Sequence, residues 1–125
     1  MNEKTVGRTY WFDLPVADLD RAKAFYNGVL GWRFQKLMRE EIMNYWMIEV
    51  DGTFIGGLRK TRAENRAETA PVIYFHVDSL ERAIQQAEAL GGRLEGERVD
   101  LGLNRGCFQW LRDPDHNLIA FWVRE

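Results

Sequence analysis

The 125-residue chain holds one cysteine, Cys107, so it can form neither an internal disulfide nor a cysteine-rich metal site. That residue reads as a small buried hydrophobe in a reducing compartment. Histidine is nearly as scarce, with only His76 and His116. There is no excess charge of either sign: 17 basic residues against 19 acidic ones leave a formal charge of −2. Such a chain lacks the cationic stripe that draws in nucleic acid or anionic lipid, so neither is expected as a partner. Its apolar runs are too short for a membrane span, and the start MNEKTVGRTYWF lacks the basic and apolar regions of a signal peptide. A cytoplasmic location is the expectation. What is present is a core: 46% of residues are hydrophobic, and a chain of this length buries somewhat under ~70% of its unfolded surface, enough for one soluble domain. Aromatics, at 13% with five tryptophans, are the one excess.

Periodicity divides the chain into two similar halves. From Thr9 to Val16 the residues alternate, placing Tyr10, Phe12, Leu14 and Val16 on one face and Trp11, Asp13 and Pro15 on the other, which predicts a strand. Asp18 offers a helix N-cap. Leu19, Ala22, Phe25/Tyr26 and Val29/Leu30 then recur at helical spacing until Gly31 supplies a left-handed stop. Three strand-like stretches follow, roughly 32–38, 45–50 and 53–58, the last two joined by Asp51-Gly52, a hairpin signal.

The same grammar returns from Pro71. A strand over 72–77 leads to a cap at Asp78 or Ser79, then to a helix with Leu80, Ala83/Ile84, Ala87 and Leu90 on one face, ended by Gly91-Gly92. Three more stretches, roughly 93–97, 106–112 and 117–124, follow, with Asp113-Pro114-Asp115-His116 turning the last hairpin. Setting Val16 on Val77 also sets Leu19 on Leu80, Arg21 on Arg82, Ala22 on Ala83 and Gly31 on Gly92, so an internal duplication is the economical explanation. The fold class is α+β, with two tandem β-α-β-β-β modules over about 8–58 and 71–125. A polar, mixed-charge linker over about 59–70 joins them.

Each module must bury its helix against one sheet face, leaving the other face to enclose a cleft in the mixed sheet. The residues expected to line it are Trp11, Asp13 and Pro15, then Val72, Tyr74 and His76, and on the last strand Leu118, Ala120 and Trp122. Trp32, Trp46 and Trp110 are assigned to the core or an interface.

The string LPVADLDRAKAFYNGVLGW (14–32) resembles the opening module of the vicinal oxygen chelate superfamily, which includes glyoxalase I, bleomycin-resistance proteins, fosfomycin-resistance enzymes and extradiol dioxygenases. HVDSLERA (76–83), ALGG (89–92) and DPDHNLIAFW (113–122) are similar to its second module. The resemblance covers nearly the whole chain and implies paired β-α-β-β-β modules, usually assembled as a homodimer, with the site on the concave sheet surface. Fold alone does not set the chemistry. The metal ligands of metal-using relatives, carried over position by position, fall on Trp11, about Gly56, Val72 and Ala120, and none of these can ligate. No metal and no cofactor are therefore expected.

The resulting expectation is a metal-independent protein that binds an apolar or aromatic small molecule. Trp11, Tyr74, Ala120 and Trp122 would contact the ligand, and Asp13 would be its polar anchor. The alternative is a metal-free lyase or isomerase in which Asp13 is the general base, with His76 as an acid-base partner. A metal-dependent glyoxalase or dioxygenase with displaced ligands ranks last. Bland readings compete at each position: a structural partner for Asp13, a satisfied core histidine for His76, an exposed turn for His116, and a surface loop for Asn104-Arg105-Gly106.

Overall fold

The computed structural model describes residues 6–37, 45–61 and 70–124. Most of the expected linker (62–69) and Met38, at the expected end of the first module's second strand, lie outside these. The chain forms two compact units, one within Trp11–Pro71 and the other within Val72–Glu125 together with the residues up to Tyr10.

In the first unit, β1 (Thr9–Val16) leads through α1 (Leu19–Leu30) to β2 (Arg33–Lys36), β3 (Tyr45–Val50) and β4 (Thr53–Lys60). The strands lie in the order β2-β3-β4-β1, with β1 and β4 parallel and the other pairs antiparallel, a mixed sheet. Helix α1 begins where Asp18 accepts the Arg21 N–H at 3.0 Å and ends at Gly31, whose φ of 72° suits a left-handed cap. Asp51 and Gly52, at φ 51° and 80°, make the two-residue turn that their sequence predicts. Strand β4 runs past the expected end of the module, and beyond it the Thr61 N–H bonds the Val16 carbonyl.

The apolar stripe of α1 is only partly used. Leu19, Ala22 and Tyr26 are half-buried, whereas Phe25, Val29 and Leu30, expected on the core side, are 58%, 63% and 54% exposed. Contact is carried instead by aromatic stacking: Tyr26 lies on Trp32 at 4.9 Å between ring centres, and Trp32 meets Phe12 at 5.9 Å. Ile48 and Leu58 are fully buried.

The second unit repeats the plan with β5 (Val72–His76), α2 (Leu80–Ala89), β6 (Arg93–Asp100), β7 (Cys107–Arg112) and β8 (Leu118–Val123), ordered β5-β8-β7-β6 with β5 and β8 parallel. Of the two candidate caps, Ser79 is the N-cap, accepting the Arg82 N–H at 3.2 Å; Asp78 instead lies 3.8 Å from the Arg82 guanidinium. Leu80, Cys107 and Val123 form a buried cluster with Val77, Ile84 and Phe121 against it. Cys107 is a buried free thiol. The residues up to Tyr10, including the start of β1, also belong to this unit: the Gly7 N–H bonds the His76 carbonyl at 2.7 Å, and the His76 N–H bonds the Arg8 carbonyl at 2.9 Å. Strand β6 is longer than its sequence suggests because a bulge between Glu95 and Val99 interrupts the pattern. The buried Gln109 amide fills it, donating to the carbonyls of Gly96 and Trp110 at 2.9 Å. Among the described residues, no helix is long and apolar enough to cross a membrane.

Candidate functional site

Asp13, near the middle of β1, is 5% exposed, and a carboxylate so far from water requires hydrogen-bond partners. The Tyr45 hydroxyl donates to it, and the Trp11 indole N–H donates in turn to the Tyr45 oxygen at 2.7 Å. Two of the residues predicted for the site, Trp11 and Asp13, are thus joined through a third that sequence reasoning missed.

Tyr45 reaches Asp13 because of what lies beneath its ring. Asp13 is paired with Gly57 on β4, and a Cβ built on Gly57 would fall 2.1 Å from the Tyr45 ring. The phenol lies flat across that glycine. Gly56 is equally constrained, since a Cβ there would sit 2.5 Å from the Phe12 carbonyl oxygen. Two consecutive glycines inside a strand mark a close approach, and that was the available signal.

In the second unit, Tyr74, His76, Ala120 and Trp122 are all buried, at 6%, 5%, 0% and 3% exposure. The parallel register sets Tyr74 beside Ala120 and His76 beside Trp122, so these four do share the sheet face opposite α2. Their surroundings are protein. The Trp110 indole N–H donates to the Tyr74 hydroxyl at 3.1 Å, and Phe108 meets the Tyr74 ring edge-on at 5.1 Å. One face of Trp122 is covered by Tyr10, parallel at 3.6 Å and within 2°, and the His76 ring centre lies 5.3 Å from it. Tyr10, expected among the residues facing a helix, lies on the opposite sheet face from α2. That face of Trp122 is therefore occupied by Tyr10. His116, in the last turn, is exposed with φ at 71°.

The donor chemistry for a metal can be judged directly. Trp11 and Val72 carry no ligand atom, Gly56 has no side chain, and Ala120 presents a methyl group. Among the described residues, no three of His, Cys, Asp and Glu gather in a group able to hold a metal ion. The residues at the four family positions do not fit one.

Two surface depressions lie elsewhere. One, of about 400 Å³, sits at the start of α1 between Asp18, Lys23, Trp46 and Lys60, with the Lys23 ammonium 3.5 Å above the Trp46 ring. The other, of about 230 Å³, lies between Gly91-Gly92 and the turn at Pro114. None of the residues predicted for the site lines either.

Residues 8–51 match the family model for the bleomycin resistance protein-like N-terminal region. Over 122 residues the chain is 25% identical to a glyoxylase-like domain-containing protein of Didymella fabae, covering 94% of each. Among solved structures it superposes on the Mn(II)-bound glyoxalase of Novosphingobium aromaticivorans with a TM-score of 0.70 and 21% identity, over 96% of this chain and 40% of that one. It superposes equally on an extradiol ring-cleaving dioxygenase of B. fuscum, at 0.70 and 21%, over 94% of this chain and 32% of that one. The chain thus spans about two fifths of the glyoxalase and one third of the dioxygenase. Two β-α-β-β-β units, mixed sheets, both module motifs in order, the family-model match over 8–51 and the glyoxylase-like relative together support the vicinal oxygen chelate superfamily for this chain.

Proposed function

We propose that this protein is a metal-independent binder of an apolar or aromatic small molecule, with Asp13 as the polar anchor of its site. The observation that carries this reading is the buried Asp13 carboxylate, linked through Tyr45 to the Trp11 indole, in a unit where the resemblance puts metal ligands at Trp11 and about Gly56. A buried, hydrogen-bonded carboxylate beside a large ring suits a ligand with an apolar body and one donor group. The bleomycin-resistance match over 8–51 supports a binding role, and the likeness to a Mn(II)-bound glyoxalase brings no metal ligands with it.

The test has two parts. Elemental analysis of protein purified without chelator should show no stoichiometric divalent metal; a value near one ion per chain would refute metal independence. A thermal-shift screen against planar drugs and metabolites should yield a stabilising ligand, with the shift abolished in both Asp13→Ala and Trp11→Ala. A shift that persists in both variants would remove this site from consideration.

The burial of Asp13 also supports a second reading, a metal-free lyase or isomerase in which that carboxylate removes a proton from a bound carbonyl compound. Recovery of the screened ligand chemically unchanged would exclude catalysis on it; turnover surviving Asp13→Ala would exclude Asp13 as the base. We also propose a homodimer, supported by the exposed Phe25, Val29 and Leu30 on α1. Light scattering at micromolar concentration should return twice the chain mass, and the chain mass alone would rule the dimer out.

A further inference from the structure

The loop between β6 and β7 places an arginine where neither the sequence motifs nor the proposed Asp13 site accounts for it. From Leu101 to Gly106 the chain turns through positive φ at Gly102, Leu103, Asn104 and Gly106. Its own hydrogen bonds hold that path: Leu101 N–H to the Gly106 carbonyl at 3.0 Å, Arg105 N–H to the Gly102 carbonyl at 2.9 Å, and Gly102 N–H to the Asp100 carboxylate at 2.9 Å. Gly106 then presses against the end of β8. A Cβ there would lie 2.1 Å from the Val123 carbonyl oxygen and 2.9 Å from that of Arg124. The approach sets Gly106, next to Arg105 in the chain, against the Arg124 backbone, and the Trp122 indole N–H fastens the loop by donating to the Arg105 carbonyl at 2.9 Å.

Arg124 lies over an aromatic platform whose Trp122 also holds the Arg105 backbone. The Arg124 guanidinium carbon lies 5.4 Å from the Trp122 ring centre, and Tyr10 is stacked on Trp122 while remaining 39% exposed. Both guanidinium groups act on the Tyr10 hydroxyl: burial pushes its pKa up, and Arg124 and Arg105 pull against that rise. Among the described residues, neither arginine forms an ion pair with an acidic side chain. Two such cations beside a flat, half-open phenol ring match an anion on a planar body, because guanidinium grips carboxylate oxygens through paired N–H donors while the ring stacks. We propose that Arg105, Arg124 and the open part of the Tyr10 ring form a binding site for a planar aromatic carboxylate.

Binding is read from the Trp122 indole N–H and Arg105 amide resonances of the full chain. The probes are benzoate, its uncharged isostere benzamide, and inorganic phosphate. Benzoate should shift both resonances saturably, with benzamide and phosphate each at least about tenfold weaker, the worth of one charge-assisted bond or one ring contact. Arg105→Ala and Arg124→Ala should each weaken benzoate by about tenfold, and Arg105→Lys by less, since it keeps the charge but not the fork. Unchanged indole spectra in the free variants verify the fold. Glu125 adjoins Arg124 in sequence, and Glu125→Gln should leave benzoate affinity unaltered. Equal binding of benzoate and benzamide, equal binding of phosphate, no loss in either alanine variant, or about a tenfold gain in Glu125→Gln would each overturn the site.

Discussion

Asp13 and Gly57 show how much a single position can carry. The acid was singled out from the alternation of β1, because a carboxylate on an otherwise apolar face must be satisfied somehow. Its partner could not be read the same way. Tyr45 stands 32 positions away in sequence, and it reaches Asp13 only because its ring can lie over a residue with no side chain. Gly57→Ala should therefore expel the Tyr45 ring, break its bond to Asp13 and lower stability by about 1–3 kcal/mol, the cost of a buried polar group losing its partner. Urea midpoints should show the loss, and Tyr45→Phe should reproduce most of it. His116 offers the opposite sign. It sits at φ 71° in a turn held by Asp113, whose carboxylate accepts the N–H groups of Asp115 and Asn117, both at 2.9 Å. Left-handed backbone strains side chains with a Cβ, so His116→Gly should hold or raise stability by up to about 1 kcal/mol, whereas His116→Val should lower it.

At the scale of elements, the boundaries were legible wherever a local rule sets them. Caps act through hydrogen bonds only three residues long, so neighbouring residues pointed to Asp18, narrowed the second cap to Asp78 or Ser79, and marked the Asp51-Gly52 turn. Asp18→Ala and Ser79→Ala should each cost about 1 kcal/mol in denaturant unfolding, roughly additively, because they cap different helices in different units. The bulge in β6 was not legible, since it depends on Gln109 from a neighbouring strand supplying donors to its carbonyls. Nor was the burial of α1. Its stripe has the helical period, yet Phe25, Val29 and Leu30 are exposed because Tyr26 and Trp32 make the contact between them.

For the molecule as a whole, the aromatic excess is spent largely on internal pairing. Tyr10 on Trp122, Tyr26 on Trp32, and Tyr74 between Phe108 and Trp110 are contacts within a unit. One of them ties stability to pH. Burial holds the Tyr10 hydroxyl above its ordinary value of 10.0, so the unfolded chain releases that proton first as pH rises. Its contribution is complete below about pH 10 and is lost progressively above it. Urea midpoints should therefore fall as pH rises past about 10, and Tyr10→Phe should flatten that fall. An undiminished fall in the variant would assign it to other groups.

The order of elements, the duplication and the lack of ligand atoms at the four family positions were determined by sequence alone. The first two follow from residue type and short-range period, which do not depend on distant neighbours, and the third from the residues found where the resemblance puts metal ligands. Only the tertiary structure decided that Tyr45 meets Asp13, that Tyr10 covers Trp122, and that the loop holding Arg105 presses on the backbone of Arg124. Those contacts join residues apart along the chain, and two of them depend on Gly57 and Gly106, which let Tyr45 and the end of β8 approach closer than any side chain would permit.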